Sequence, residues 1–190
     1  MPHHESVTDL LTHTRLIVLV DLAGFAKAFQ SKDDLQMAAL LRDFYGACAS
    51  SIAAHGGTII KFIGDACLAT FDPEHATDAV QAVAQVQEQV EALAKLHQVP
   101  IALGANLHLA PVVEGTFGER RDIIGRGVNQ TFMLGGGAGV RLSEPAYRAL
   151  PSAARSPWTK HKPPAVYHLE RGTGILEGLG KSAGTNAARW

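Results

Sequence analysis

Residues 15–21 read RLIVLVD, and residues 58–71 read TIIKFIGDACLATF. The first stretch is a short apolar run, rich in β-branched residues and closed by an acid. This pattern is typical of a buried central strand whose last residue emerges at the edge of a sheet. The second stretch contains two strand-like runs separated by Gly64-Asp65, and a two-residue connection with a glycine predicts a tight hairpin.

Helices and further strands are predicted around these three strands. Ser31-Lys32-Asp33-Asp34 resembles a capping box at the start of a helix, and Gly56-Gly57 end that helix. A second helix is predicted over residues 74–97, where valines repeat at helical spacing. The remaining predicted elements are a strand pair at 101–109 and 112–117 with Pro111 at its junction, a helix from near Val128 to Gly135, and short strands at 140–142 and 165–169.

The order of these elements predicts an α+β fold. Strand, helix, hairpin, helix, strand pair, helix and strand together favour an antiparallel or mixed sheet with helices on one face, a ferredoxin-like arrangement of the palm type. The domain is predicted to cover residues 15–170. A flexible arm at 1–14 and a Gly-rich tail at 171–190 are predicted to flank it.

The composition is that of one ordinary globular domain. The chain has 190 residues, of which 46% are hydrophobic and 18% are charged, and its net charge is −1. We therefore expect no general attraction to nucleic acid or anionic lipid. The apolar run at residues 16–20 is far shorter than the roughly 20 residues of a membrane span. Without a secretory leader, and with Cys48 and Cys67 interpreted as buried free thiols, the expected compartment is the cytoplasm.

Asp21 and Asp65 each stand where an apolar strand gives way to a glycine-containing turn. If their strands are neighbours, both carboxylates project from the same edge of the sheet. Two carboxylates suit Mg²⁺ or Mn²⁺, which keep bound waters and complete their coordination with substrate phosphates. The alternative is that each acid only caps its turn.

Lys61 alternates with Ile59 and Ile63, which predicts a lysine on an otherwise apolar face. Such a lysine must extend to solvent, pair with an acid or reach a ligand, and Asp122 is a candidate partner. The two residues form either a simple ion pair or a site for adenine. An ammonium donor beside a carboxylate acceptor matches the N1 acceptor and the exocyclic amine donor of adenine, whereas guanine presents the reverse pattern.

Three segments of the chain resemble the class III adenylyl/guanylyl cyclase catalytic domain, and the resemblance extends from about residue 15 to residue 169. RLIVLVDLAGFAKAF resembles the family's first strand, metal-binding aspartate and Gly-Phe turn. GGTIIKFIGDACLATF resembles its hairpin with the second metal-binding aspartate, and GTFGERRDIIGRGVNQ resembles the segment that leads into a Val-Asn pair. The segments occur in the family's order and with its spacing of Lys61 to Asp65 and of Asp122 to Asn129.

The resemblance implies a role for each matching residue. Asp21, Asp65 and the backbone carbonyl of Leu22 would hold two Mg²⁺ or Mn²⁺ ions. Backbone amides at a helix start would bind the triphosphate of ATP. The implied substrate contacts are Gly24 and Phe25 with the triphosphate, Lys61 and Asp122 with adenine, and Asn129 with the ribose.

The implied reaction is attack of the ribose 3′-hydroxyl on the α-phosphorus of ATP, which gives cyclic AMP and pyrophosphate. One ion would lower the pKa of the hydroxyl, and the other would neutralise the departing pyrophosphate. Sites in this family form between subunits, so the resemblance implies a head-to-tail homodimer with two equivalent sites. Asp21 and Asp65 would come from one chain, and Lys61, Asp122 and Asn129 from the other.

The sequence departs from the family at the position that carries an arginine in active relatives. That position, four residues after Asn129, is Met133, and a thioether cannot donate a hydrogen bond to developing phosphate charge. Either Arg126 replaces the missing guanidinium in a slow cyclase, or the domain is catalytically silent and binds a nucleotide or a protein partner. Lys160 and Lys162 are both candidates for the family's lysine on the terminal phosphates.

Overall fold

The computed structural model of the protein describes residues 10–161 and 166–169. The predicted tail at 171–190, the first nine residues of the predicted arm, and Lys162 lie outside the described residues. The strands are β1 (Leu11–Ala23), β2 (Thr58–Ile63), β3 (Ala66–Phe71), β4 (Ala102–Phe117), β5 (Arg120–Ile124), β6 (Gly139–Ser143), β7 (Trp158–His161) and β8 (Val166–Leu169). The α-helices are α1 (Phe25–Phe29), α2 (Asp34–Ala54), α3 (Ala76–Leu96), α4 (Arg126–Met133) and α5 (Glu144–Ala149).

One mixed sheet contains all of these strands. Its order is β2-β3-β1-β4-β6-β8-β7, and β5 pairs with β4 beside this path. β4 and β6 run parallel, whereas the other pairs are antiparallel. The predicted α+β class and the predicted hairpin at Gly64-Asp65 are both confirmed. β1 begins at Leu11, inside the predicted arm, because residues 11–14 pair with the second half of β4.

The two faces of the sheet are covered by different helices. On one face, Leu16, Val18 and Val20 pack against α2 and α3 in the larger apolar cluster. On the other, which we call the α4 face, Ile17 and Leu19 belong to a smaller cluster that Val128 of α4 flanks. The prediction of helices on one face is therefore wrong for α4. Gly127 permits its close approach, since a Cβ there would lie 2.4 Å from the Cβ of Ala110.

β4 is one continuous strand where a strand pair was predicted. It passes through Pro111, which lies opposite Thr14 of β1. On its other edge β4 pairs with β6 at residues 104–107 and with β5 at residues 113–117, so no described strand adjoins Pro111 there. Proline lacks an N–H donor, and a strand position with one edge unpaired tolerates it.

The start of α2 confirms a capping box, but with Asp33 rather than Ser31 as the cap. The Asp33 carboxylate accepts a hydrogen bond from the Gln36 backbone at 2.8 Å, and the Gln36 side chain accepts one from the Asp33 backbone at 3.2 Å. The cap therefore satisfies backbone donors that the first helical turn leaves open. Within residues 10–161 and 166–169, no helix has the length and apolarity needed to cross a membrane.

Candidate active site

The structure brings Asp21 and Asp65 together at one edge of the sheet. Asp21 lies near the end of β1 and pairs with Ala66, the residue that follows Asp65 in the hairpin. The backbone N–H of Leu22 donates to the backbone carbonyl of Asp65 at 3.1 Å, which ties the two segments together. Both acidic residues are partly buried. The carboxylates therefore share one site that solvent can still reach.

The electrostatic environment of Asp21 favours a cation. Burial raises the pKa of the Asp21 carboxyl above its ordinary value, and the charge of Asp65 raises it further. The guanidinium of Arg141 acts in the opposite direction and lowers this pKa. A divalent ion bound beside Asp21 and Asp65 would offset the repulsion that Asp65 exerts on the Asp21 carboxylate.

Gly104 provides the space for the Asp21 carboxylate. The two residues face each other across the β1–β4 ladder. A Cβ on Gly104 would collide with Oδ1 of Asp21, and it would lie 2.7 Å from the carbonyl oxygen of Gly137. Only a residue without a side chain fits beneath this carboxylate. The position of Asp21 thus depends on β4 and on the loop after α4 as well as on its own strand.

Tyr45 of α2 holds the hairpin that carries Asp65. Its hydroxyl donates to the carbonyl oxygen of Gly64 at 2.5 Å, and its ring stacks on Phe62 with the centroids 4.0 Å apart. Burial raises the pKa of the Tyr45 phenol, and the charge of Asp65 raises it further, so the hydroxyl stays protonated and can donate. Tyr45 therefore links α2 to the turn beside the acidic site.

We expect Tyr45→Phe to weaken Mn²⁺ binding several-fold while the fold persists. The substitution keeps the ring on Phe62 but removes the donor to Gly64, a hydrogen bond whose net contribution is about 0.5–1.5 kcal/mol. Calorimetric titration of Mn²⁺ measures the effect, and thermal unfolding measures the stability. Tyr167→Phe, in a residue that stacks on Tyr147 of α5, is the matched control. An unchanged Mn²⁺ affinity in Tyr45→Phe would show that the Tyr45 hydroxyl does not support the acidic site.

Lys61 forms a direct ion pair with Asp122. Nζ of Lys61 lies 2.6 Å from Oδ2 of Asp122, and the other carboxylate oxygen accepts the Ile123 backbone N–H at 2.8 Å. The pair joins β2 to β5 across the α4 face. Lys61 has a side-chain exposure of 42% and Asp122 of 25%, so a ligand can reach both.

The predicted alternation of Lys61 with Ile59 on one face is wrong. A bulge interrupts the β2–β3 register between Ile59 and Lys61, so one additional residue enters β2. Ile59 consequently packs against the larger cluster, while Ile60 packs against the cluster of the α4 face. Lys61 lies opposite Leu68, a member of that second cluster. The bulge places Lys61 on the same side as Asp122.

A cavity of about 720 Å³ opens beside this pair. Its size exceeds that of a purine base, and its lining combines apolar, aromatic and charged side chains, as ligand cavities commonly do. The lining residues are Ile60, Lys61, Phe62, Phe117, Arg120, Arg121 and Asp122.

Comparison with known proteins assigns the family. Residues 12–161 match the family model described as the adenylate and guanylate cyclase catalytic domain. The chain belongs to this family. The resemblance inferred from the three sequence segments is thus confirmed.

Relatives with assigned names are fairly distant from this cyclase domain. An adenylate cyclase of Anabaena cylindrica is 26% identical over 156 residues, which cover 73% of this chain and 31% of that protein. Adenylate cyclase 2 of Rhizobium meliloti (strain 1021) is 32% identical over 133 residues, which cover 64% of this chain and 36% of that protein. The chain therefore spans about a third of the length of these two relatives.

Solved structures of cyclases share the fold. The crystal structure of the guanylyl cyclase Cya2 superimposes with a TM-score of 0.74 at 20% identity, over 85% of this chain and 93% of that one. The adenylyl cyclase CyaB from P. aeruginosa superimposes with a TM-score of 0.73 at 18% identity, over 88% of this chain and 99% of that one. Because one is a guanylyl and the other an adenylyl cyclase, the shared fold does not distinguish the base.

Three further residues that the sequence analysis singled out for the site of the cyclase domain lie on the outward side of α4. Arg126, Asn129 and Met133 are all exposed, and they follow one another at helical spacing. Met133 is 79% exposed. These side chains point away from the sheet of their own chain.

The candidates for triphosphate binding are placed differently from one another. Gly24 follows β1 directly, with a φ of +89°, and its carbonyl accepts from the backbones of Lys27 and Ala28, so Gly24 and Phe25 open α1 next to Asp21. Lys160 lies over the ring of Tyr167, which packs against the larger cluster, so the structure does not bring this lysine to the carboxylates. Lys162 lies outside the described residues.

Sequence reasoning missed two residues of this site. Tyr45 has no distinguishing signal, because it is one aromatic residue on a long amphipathic helix. Arg141 does have one, since it stands between Val140 and Leu142 in a short strand where an apolar residue is expected. A charge inside an apolar strand requires a compensating partner.

Proposed function

We propose that this cyclase domain converts ATP to cyclic AMP and pyrophosphate as a homodimer that uses Mg²⁺ or Mn²⁺. The observation that carries the proposal is the presence of two features on one side of the same sheet. These are the paired acids Asp21 and Asp65 at its edge, and the ion pair of Lys61 with Asp122 beside a cavity. The first suits a metal–triphosphate group, and the second suits a purine base.

The donor set of the acidic site fits Mg²⁺ or Mn²⁺. Carboxylate and carbonyl oxygens are the ligands that these ions prefer, and Asp21, Asp65 and the Leu22 carbonyl would supply them. Among the residues with described positions, no group of three or more His, Cys, Asp or Glu side chains is placed to enclose an ion. Water and substrate phosphates would therefore complete the coordination. The two ions, when bound, would activate the ribose hydroxyl and neutralise the leaving pyrophosphate.

The ion pair supports adenine as the base. Lys61 can donate to N1 of adenine, and Asp122 can accept from its exocyclic amine. Guanine presents a donor at N1 and an acceptor at C6, so the same two groups would each meet the wrong partner. Polar groups that a bound base covers and leaves unpaired in this way cost more than a missing apolar contact.

The outward side of α4 supports a site between two chains. Asn129 would orient the ribose of a nucleotide held by the acids of the other subunit, and the amides at Gly24 and Phe25 would bind its phosphates. Apolar side chains are exposed around the same face: Ile63 is 42%, Phe132 45% and Met133 79% exposed. Large apolar residues exposed together favour a protein–protein interface.

One assay tests the proposal. Purified protein is incubated with ATP and Mn²⁺, and cyclic AMP is measured against Asp21→Asn and Asp65→Asn. The matched control is Asp78→Asn, in an exposed aspartate that pairs with His75 at the start of α3. We expect product from the wild type and the control, and none from the two site variants. Equal product from all four proteins would rule out the metal-dependent cyclase.

A silent nucleotide-binding domain is the second candidate, and Met133 is the observation that favours it. The exposed thioether offers no charge or donor where active relatives carry an arginine. In this case the protein would bind ATP saturably, with an affinity that depends on Asp21, and would form no cyclic AMP. Equilibrium binding of labelled ATP alongside the activity assay separates the two candidates.

We expect Lys61→Glu to reduce the use of ATP about tenfold or more, while Mn²⁺ affinity stays unchanged. The variant replaces the donor to adenine by an acceptor and places two acids at the base, whereas the metal ligands stay intact. The ratio of kcat/KM for ATP to that for GTP is the measurement. Lys95→Glu, in an exposed lysine of α3, is the control. An unchanged ratio in Lys61→Glu would contradict its role in base selection.

A further inference from the structure

Arg141 is a buried arginine surrounded by backbone carbonyl groups. The residue is 8% exposed. Its Nη1 donates to the carbonyl oxygens of Gly137 and Gly139 at 3.1 and 3.2 Å. Its Nη2 donates to those of Gly136 and Ala138 at 2.6 and 3.3 Å. Four successive peptide carbonyls thus compensate a charge whose burial would otherwise be unfavourable.

The glycines of this loop make the arrangement possible. Gly135, Gly137 and Gly139 have φ values of +143°, +77° and +110°, which residues with a side chain rarely adopt. These conformations let the chain turn back around the guanidinium so that one carbonyl after another reaches it. The sequence LGGGAGVR therefore does more than end α4, because its alternate glycines and its arginine form one structural unit.

The loop at residues 135–139 is anchored to the sheet beside the acidic site. Asn106 of β4, which lies opposite Arg141 in the β4–β6 ladder, donates to the carbonyl of Gly135 at 2.8 Å. Two residues earlier in β4 is Gly104, against which both the Gly137 carbonyl and the Asp21 carboxylate lie. The loop that Arg141 holds therefore forms one wall of the space occupied by Asp21.

We propose that Arg141 is a positioning residue for the metal site, because it holds the loop at residues 135–139 against Gly104 and thereby fixes the place of the Asp21 carboxylate. This inference rests on the metal site of the proposed function. Arg141 does not contact the ion or the nucleotide in this role, since its Nη1 and Nη2 groups donate to four backbone carbonyls. The planar guanidinium matters for its several donors in fixed directions as much as for its charge.

Binding of Mn²⁺ tests the proposal without requiring turnover. Bound Mn²⁺ is measured by electron paramagnetic resonance in the presence of 3′-deoxy-ATP, which cannot cyclise. We expect Arg141→Lys and Arg141→Gln each to raise the Kd for Mn²⁺ about tenfold, the scale on which residues behind a metal ligand usually act. Arg148→Gln, in an exposed arginine of α5 that pairs with Glu144, should leave the Kd unchanged.

A second variant changes the loop and keeps the arginine. Gly137→Ala meets no atom within 4 Å, so its only effect is strain at a φ of +77°. We expect it to raise the Kd for Mn²⁺ as the Arg141 variants do, and it decides the question if Arg141→Gln does not fold. Thermal unfolding of each variant accompanies the binding measurements.

The outcomes separate this proposal from its alternatives. Wild-type Mn²⁺ affinity in Arg141→Lys, with weaker binding in Arg141→Gln, would overturn it in favour of a role for charge alone. Lower thermal stability with unchanged Mn²⁺ affinity in every variant would overturn it in favour of a purely structural role. If the wild type binds Mn²⁺ but forms no cyclic AMP, the proposed cyclase activity is contradicted. The Kd values of the Arg141 and Gly137 variants for Mn²⁺ still test the role of Arg141 in that case. A wild type that binds no Mn²⁺ overturns both proposals.

Discussion

Mixing Asp21→Asn protein with Asn129→Ala protein will restore cyclic AMP formation that neither protein gives alone. In the proposed head-to-tail dimer, each site takes its acids from one chain and its asparagine from the other. A heterodimer of these variants then has one site with both lesions and one site with none. Random association makes half of the dimers mixed, so about a quarter of the wild-type activity returns. Each variant alone should lose activity about 100-fold or more, because metal binding or ribose orientation fails in both sites.

A second mixture is the control for this result. Asp21→Asn with Asp65→Asn places both lesions in the acidic half, so each site of the heterodimer keeps one defective acid and no activity returns. Both mixtures are equilibrated at equal concentrations, and heterodimer formation is verified by co-purification of differently tagged chains. If the first mixture contains heterodimer but stays inactive, the sites do not form between subunits in the proposed way.

The strands that carry the acids were predictable because their signals are local. A β-branched run that ends at Asp21 indicates a buried strand by itself, and Gly64-Asp65 between two apolar runs indicates a hairpin. Antiparallel pairing of these neighbours then brings the acids to one edge. The sequence left open whether these strands are neighbours, and the structure supplies that condition. The family resemblance adds the roles of the residues.

The side on which Lys61 lies was not predictable from alternation. A strand's alternation holds only while its register holds, and the bulge between Ile59 and Lys61 reverses it for the rest of β2. Whether a bulge forms depends on the packing of both faces of the sheet, and the sequence of a single strand does not indicate that packing. The same limit explains Pro111, which breaks a strand only where a neighbour requires its N–H.

The sequence marks Arg141 as unusual, but it does not indicate which groups compensate its charge. Its place between two apolar residues indicates a compensated charge, and the glycines at 135–137 indicate the end of a helix. The connection between the two follows only from the folded structure, because the compensating groups are peptide carbonyls and not acidic side chains. Every residue has a backbone carbonyl, so the sequence does not indicate which carbonyls compensate the arginine.

Met133→Arg is expected to raise the turnover of the proposed cyclase about 10²–10³-fold. Removing one preorganised donor from a transition state costs roughly 3–4 kcal/mol in well-studied enzymes, and adding one in the right place should recover a similar amount. The position is suitable, because Met133 lies one helical turn after Asn129 on the outward side of α4 and is 79% exposed. A guanidinium there would extend from the outward side of α4, where the proposed dimer would place the phosphate of a nucleotide bound by the other chain.

The rate constant kcat at saturating ATP and Mn²⁺ measures this gain, with Met133→Leu as the control for a change of shape without charge. Met133→Lys tests whether a single positive charge suffices, and its gain should be smaller because an ammonium lacks the planar set of donors. The arginine at position 126 gives the competing explanation. If Arg126 already supplies the missing group, Arg126→Ala abolishes turnover and Met133→Arg adds little, since the donor would then already be present at the phosphate.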